Sequence, residues 1–509
     1  MIVKVISSTV IGIDSYPVDV EVDISAGLPQ FSTVGLPDVA VRESKDRIKA
    51  AIKNSGYRFP RTHITVNLAP ADIKKEGTGF DLPIAVGILT AEGIIKSEAL
   101  KDYTITGELS LDGRVKGVQG VISAAFQAKE TGLKGIIVPA ENALEAAMVE
   151  AVDVIPVNAL SDVVEFFNKT KEIEPLRIDI AEIFKRSLCY PFDFHEIRGQ
   201  EQAKRALEVA AAGGHNIIMT GPPGSGKTML AKRLSTILPE LSFEEAIETT
   251  KIFSVAGLLG KKDTLLGTRP FRAPHHTISD AGLVGGGHIP KPGEISLAHH
   301  GVLFLDELPE FRKNVLEALR QPLENGSVTI TRSSMTATYP ARFMLVAAMN
   351  PCPCGYYGDP QRDCRCSPQQ IRQYQARISG PLLDRIDIHI EVPSIRYRDL
   401  VGGNAGETSE TIKERIVRAR ATQKERFADP DTLLNASMSD KQIKKYCVID
   451  EDSRRLIEMA IDKLGFSARA YTRILKVART IADLEEGENV RSCHIAEAIQ
   501  YRNLDRRMI

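Results

Sequence analysis

The most specific chemistry in the chain is carried by eight consecutive residues. Gly221-Pro222-Pro223-Gly224-Ser225-Gly226-Lys227-Thr228 fits G-x-x-x-x-G-K-[ST]. Glycines in such a loop let backbone N–H groups turn inward and cradle phosphates at a helix N-terminus. Lys227 would reach the β- and γ-phosphates of ATP, and Thr228 would ligate Mg²⁺. A Gly/Pro turn before an ordinary helix is the plain alternative. However, the apolar run Ile217–Thr220 precedes the loop and a helical pattern over Met229–Leu238 follows it, the context the motif requires. Gly301-Val-Leu-Phe-Leu-Asp306-Glu307 supplies the complement, an apolar strand ending in two carboxylates. Asp306 would hold Mg²⁺, and Glu307 would polarise the attacking water. A third apolar run, Phe343–Met349, ends in Asn350, whose amide can reach the same water. Alone, either strand end would read as a solvated turn; downstream of the phosphate loop they read as one site.

A second cluster is made of thiols. Cys352, Cys354, Cys364 and Cys366 crowd together, while Cys189, Cys447 and Cys493 are scattered. Four thiolates can close one tetrahedral zinc shell, and Gly355, Gly358 and Pro360 would let the chain loop back. The C-x-C pairs are tighter than common zinc spacings, so four unligated thiols in a loop stay open as the alternative. Nothing beside them suggests an open catalytic site, so the expected role is structural. The pairs His275-His276 and His299-His300 lack a third ligand at recognisable spacing and read as structural too.

These groups need a scaffold. Short continuous apolar runs at 217–220, 302–305 and 343–349 suit parallel strands covered on both faces. Before them, Val18–Ile24 alternates with period two, Val39–Asn54 has helical spacing and Leu82–Leu89 is a buried helix. Gly107–Lys116 reads as a hairpin, Gly120–Thr131 as a helix and Gly135–Val138 as a buried strand. After the Gly-rich Val401–Ser409, the pattern is helical over Ile412–Phe427, Ser453–Leu464 and Arg469–Leu484, with Gly465 a C-cap for the middle helix. At 509 residues, 43% apolar and 26% charged, the chain fits about three globular domains, which excludes disorder and small disulfide scaffolds. No apolar stretch approaches the ~20 residues of a membrane-spanning helix, and the N-terminus lacks a secretory pattern; the expectation is a cytoplasmic protein. A net charge of −1, from 65 basic and 66 acidic residues, is not that of a protein coated in nucleic acid, but it leaves room for local basic patches.

Taken together, phosphate loop, acidic strand and Asn-ended strand resemble an AAA+ ATPase. Ser379-Gly-Pro-Leu-Leu-Asp384-Arg385-Ile-Asp387 is similar to the arginine-finger segment of magnesium-chelatase I subunits. Phe466-Ser467-Ala-Arg469 resembles their sensor-2 helix, and Gly293–Gly301 their lead into the acidic strand. Thr65–Leu89, Thr106–Val115, Ala124–Gly132 and Ile136–Asn142 resemble the proteolytic domain of Lon. The whole chain resembles the YifB/ComM family of magnesium-chelatase-like AAA+ ATPases. That resemblance implies an α/β protein: an N-terminal Lon-protease-like α+β domain over 1–168, a linker over 169–189, a central AAA+ parallel-sheet nucleotide-binding domain over 190–395 and a C-terminal helical lid over 396–509. It implies that Arg385 enters a neighbouring subunit's site, that Arg469 acts in cis, and that six subunits form a ring. Lon-type catalysis needs a serine and a lysine; by alignment those positions are Gly79 and Ile122, so the domain is expected to be a scaffold rather than a peptidase, with Ser123 close to the lysine position.

Family members place two insertions toward the pore of the ring. Here they are the hairpin Val328–Tyr339, with Arg332 beside its Ser333-Ser334 turn, and the loop Gly282–Gly293, with Lys291 near its tip. Both cations would there touch DNA phosphates; solvated loop tips are the alternative for each. The resemblance favours an ATP-driven DNA motor that promotes branch migration, as ComM-type helicases do. A protein-remodelling ATPase like the chelatase I subunit is the second reading, and an ATP-dependent protease is disfavoured by Gly79 and Ile122.

Overall fold

Val18, Val20 and Val22 are all fully buried, so the period-two pattern becomes one covered face of the strand Asp14–Ser25. The computed structural model describes residues 2–186, 190–260, 264–287, 290–332, 335–394, 406–427, 434–464 and 467–502. Ser333-Ser334, Gly465, Phe466, Cys189 and the Gly-rich residues 401–405 lie outside the described residues. Among those described, no helix is long and apolar enough to cross a membrane.

The chain divides into two compact units, the first made of residues 1–187 and 246–267, the second of 188–245 and 268–509. In the first, seven strands form a mixed sheet ordered Gln30–Val34, His63–Ala69, Asp14–Ser25, Ile2–Ile11, Tyr103–Ile105, Gly135–Pro139 and Asp153–Val157. The helix Asp81–Ala91 buries nearly every side chain. Val39–Asn54 has Asp38 as N-cap, accepting from Val41 N at 2.8 Å. The expected hairpin is a short ribbon, Glu108–Leu109 against Val115–Lys116. Residues 246–267, which chain order puts inside the nucleotide-binding segment, group instead with this first unit. The cause is specific: Ser254 Oγ accepts from Gly120 N at 2.9 Å and contacts the buried Glu145 carboxylate, while Lys251 Nζ lies 4.6 Å over the Phe126 ring.

In the second unit, five parallel strands are ordered Phe271–Arg272, Val302–Leu305, Met344–Met349, Ile217–Thr220 and Ile388–Glu391. The three apolar runs are its central strands, and all their residues are buried. The helices Ser409–Arg426, Glu451–Leu464, Ala468–Leu484 and Ser492–Gln500 pack into one continuous core with that sheet, through Ile416, Ile474, Val477 and Ile481. Ser467 caps the third of them by accepting from Ala470 N at 3.3 Å.

A buried polar chain ties that helix to the sheet. Asp387 meets Arg473 at 2.8 Å and His215 at 3.1 Å, and His215 Nε2 lies 2.8 Å from Thr480 Oγ1. Burial alone would raise the Asp387 carboxyl, but Arg473 and His215 hold it well below the usual carboxylate range. A depressed folded-state pKa gives stability that is complete above the unfolded value of about 3.9 and is lost as pH falls toward the folded one. Asp387→Ala removes one partner of a buried pair and should cost about 3–5 kcal/mol, read as a lower denaturation midpoint at neutral pH. A midpoint equal to wild type would show that the pair contributes nothing.

Candidate nucleotide and metal sites

The phosphate loop leaves the sheet at the C-terminal end of Ile217–Thr220 and opens the helix Lys227–Ile237. Gly224 and Gly226 have φ of +78° and +88°, which glycine adopts without strain and which turns the loop's amides inward. Gly221 and Ser225 are buried, while Pro223, Gly224 and Thr228 face solvent. Lys227 folds back under its own loop: Nζ donates to Gly221 O at 2.7 Å and to Pro222 O at 2.9 Å. Burial pushes its ammonium below its ordinary range, against the opposing pull of Asp306 and Glu307. An incoming triphosphate offers that ammonium a better partner than two neutral carbonyls.

Parallel neighbours deliver the other groups to the same sheet end. Asp306 Oδ2 accepts from Thr228 Oγ1 at 2.7 Å, and Asn350 Oδ1 lies 3.4 Å from Lys227 Nζ. The Thr228 hydroxyl and the Asp306 carboxylate are both hard oxygen donors at one exposed point, a donor set that suits Mg²⁺. Glu307 turns out of the strand with φ +53°, an uncommon conformation for a non-glycine residue that is found at functional sites. Its carboxylate is 53% exposed, free to reach a water.

A residue that the sequence reading set aside also arrives here. His276 Nδ1 lies 3.3 Å from Glu307 Oε2, with its ring edge-on to Phe311. The reason is sheet order. Phe271 and Arg272 pair in parallel with Val302 and Leu303, so residues 276 and 307 leave neighbouring strands at equivalent positions. Without that order, no spacing in the sequence links them. His299 accepts from Arg342 N at 2.9 Å.

The two candidate arginines are paired with other residues. Arg385 is nearly buried; it donates to Pro381 O at 2.6 Å and pairs closely with Glu324 of the same chain. Arg469 is exposed and pairs with Asp384 at 3.2 Å. The helix Ala468–Leu484 and the segment 379–387 therefore meet at the residue before Arg385.

The four cysteines do converge. Cys352 Sγ lies 3.4 Å from Cys354 Sγ and 3.6 Å from Cys364 Sγ, with 3.6 Å between the last two, and all four sulfurs lie within 4.8 Å of one another. A tetrahedral shell with Zn–S near 2.3 Å needs sulfurs about 3.8 Å apart, so the donor set fits zinc in number, chemistry and spacing. Within the cluster the thiols divide: the Tyr356 backbone favours the Cys354 thiolate and lowers it to about 6, while Cys364 and Cys366 are raised, against backbone hydrogen bonds, by burial and by the neighbouring thiols, as groups that titrate together are.

In the first unit, Gly79 offers no side chain, and a methyl there would meet Thr106 Oγ1 at 3.0 Å. Ile122 is fully buried, its amide donating to Glu145 at 3.0 Å. Ser123 is occupied in donating to Ile13 O at 2.6 Å.

Three family models match the chain: "Magnesium chelatase, subunit ChlI" over residues 193–400, "Subunit ChlI of Mg-chelatase" over 20–142 and "Magnesium chelatase, subunit ChlI C-terminal" over 406–502. The chain is 46% identical to an uncharacterized protein, YifB, of Salmonella typhimurium, over 98% of this chain and 96% of that one. It is 46% identical to the competence protein ComM of Haemophilus influenzae, over 99% and 97%. Lon protease 2 of Bacillus subtilis is 32% identical over 31% of this chain and 30% of its own.

Proposed function

Because the chain belongs to the YifB/ComM family of magnesium-chelatase-like AAA+ ATPases, we propose that it is an ATP-driven ring motor that remodels branched DNA. In this reading Lys227 binds the β- and γ-phosphates, Thr228 and Asp306 hold Mg²⁺, Glu307 accepts a proton from the attacking water and Asn350 orients it. Mg²⁺ supplies charge neutralisation on the phosphates. Arg385 leaves Glu324 to serve a neighbour's site in a homo-hexameric ring, and Arg469 acts from the lid. The Lon-like unit is a scaffold without peptidase activity, because Gly79 and Ile122 supply neither nucleophile nor base. One structural zinc closes the thiol loop. The protein acts in the cytoplasm.

The observation that carries the DNA reading is the stacking of two ribbons remote in sequence. Gly285–Gly286 pairs with Lys291–Pro292, and Ser327–Arg332 with Met335–Pro340. Tyr339 donates its hydroxyl to Pro290 O at 2.7 Å, and Arg332 Nη2 would lie 3.0 Å from a methyl at Gly286, the residue paired with Lys291. Two exposed cations, Lys291 and Arg332, therefore lie on neighbouring ribbons, which suits a phosphate backbone. In the Arg332→Ala/Lys291→Ala double variant, DNA binding should weaken across all sequences, with the salt slope shallower by up to ~1 per lost contact. Basal ATPase should persist, because neither residue belongs to the nucleotide motifs, while DNA stimulation should fall. Normal stimulation in the double variant would remove these residues from the DNA contact. A wild-type protein that no form of DNA stimulates would favour the protein-remodelling alternative.

A further inference from the structure

The thiol loop and the strand end that leads into it meet the phosphate loop at three points. Gly221 N donates to Met349 O at 3.2 Å. Asn350 Oδ1, one residue on, lies 3.4 Å from Lys227 Nζ. Gly355 is buried against Pro223, where a methyl group would meet Cδ at 2.5 Å and Cγ at 2.7 Å. The last contact depends on glycine twice, for space and for its φ of +87°.

The thiols set where Gly355 lies. Gly355 N donates to Cys352 O at 3.0 Å, and Gly355 directly follows Cys354 in the chain. Cys352 itself is fully buried, two residues after Asn350, so the chain between them has little slack. On the other side of the contact, Pro223 and Gly224 are exposed. An exposed glycine-rich loop can align its amides only if something outside it restricts its conformations. S–H groups are weak donors and weak acceptors, and cannot fix the thiol loop as a closed metal shell can.

We propose that the four-thiol loop is a positioning element for the phosphate loop, and that metal loading at the cysteines sets the affinity of the nucleotide site. The path runs from the metal shell through Cys352 and Cys354 to Gly355, and from there onto Pro223; a parallel path runs through Asn350 to Lys227. This rests on the zinc and nucleotide readings above.

The test is the affinity of the full-length protein for a fluorescent ATP analogue, measured alongside zinc content and unfolding midpoint. Four samples are compared: freshly purified wild type, chelator-stripped wild type, stripped protein with zinc restored, and Gly355→Val. Stripping should weaken binding by about tenfold or more, the scale of losing a supporting contact around a site, and zinc should restore it. Gly355→Val retains all four cysteines. It should keep zinc near wild-type content and still bind the analogue about tenfold more weakly. If valine prevents folding, Gly355→Ala takes its place, with the same expected direction. A folded, stripped protein that binds the analogue as wild type does would overturn the proposal. So would a zinc-loaded Gly355 variant with wild-type affinity. Absence of zinc from fresh protein would refute the zinc reading, and absence of analogue binding by the wild type the nucleotide reading; either would take the proposal with it, and separate measurements distinguish them.

Discussion

Glu307→Gln should bind ATP with Mg²⁺ normally and hydrolyse it about 10²–10⁴-fold more slowly, the range that one positioned acid–base group contributes. Glutamine keeps the volume and the turn out of the strand but cannot take a proton. Lys227, Thr228 and Asp306 are untouched, so the phosphate and metal contacts survive. The variant should therefore accumulate as an ATP-bound form. The His276 contact sharpens the expectation: the amide can still meet His276, so any structural role of that pair survives while the chemistry does not. Single-turnover hydrolysis, with nucleotide binding measured in parallel, checks both halves. Hydrolysis at the wild-type rate would show that another group activates the water.

Arg385→Ala should be comparably damaging, about 10³-fold or more in kcat, if its guanidinium neutralises charge on a neighbour's transferring phosphoryl group. Its defect lies on one face of a subunit interface, and that of Lys227→Ala on the other. Mixing the two inactive proteins creates some interfaces with a good Lys227 on one side and a good Arg385 on the other. Hydrolysis should reappear in the mixture, although neither variant has it alone. The pairing of Arg385 with Glu324 in the single chain adds a control: Glu324→Ala frees the guanidinium without removing it and should preserve activity. No recovery at any ratio, in rings shown to be mixed, would rule out action in trans.

The candidate nucleotide site was legible in the sequence because its groups are consecutive or end apolar runs. Lys227 and Thr228 sit at fixed offsets from the loop glycines. Asp306 and Asn350 each terminate a run of residues that the sheet buries on both faces, so the end of an apolar run located each of them. The thiol cluster was equally local. His276 was not legible, since only the pairing of Phe271–Arg272 with the acidic strand brings it to Glu307. The grouping of residues 246–267 with the N-terminal unit was hidden for a similar reason. It depends on contacts of Ser254 and Lys251 with residues more than a hundred positions away, and helical periodicity over Phe243–Ala256 says nothing about which core receives the helix. The stacking of the ribbons was half visible: the hairpin follows from its alternation, whereas the Tyr339–Pro290 bond that joins it to the second ribbon is a tertiary event. The Gly355–Pro223 contact is of the same kind, a close approach that only a glycine permits.

The central claim is that ATP hydrolysis at the Lys227–Glu307 site drives movement on DNA. Conversion of a labelled four-way DNA junction to its resolved arms, followed over time with ATP and Mg²⁺, tests it most directly. The account predicts conversion by wild type with ATP, none with ADP and none with Glu307→Gln. Conversion that proceeds equally without hydrolysis, or an active ATPase that converts no forked or four-way substrate, would contradict it.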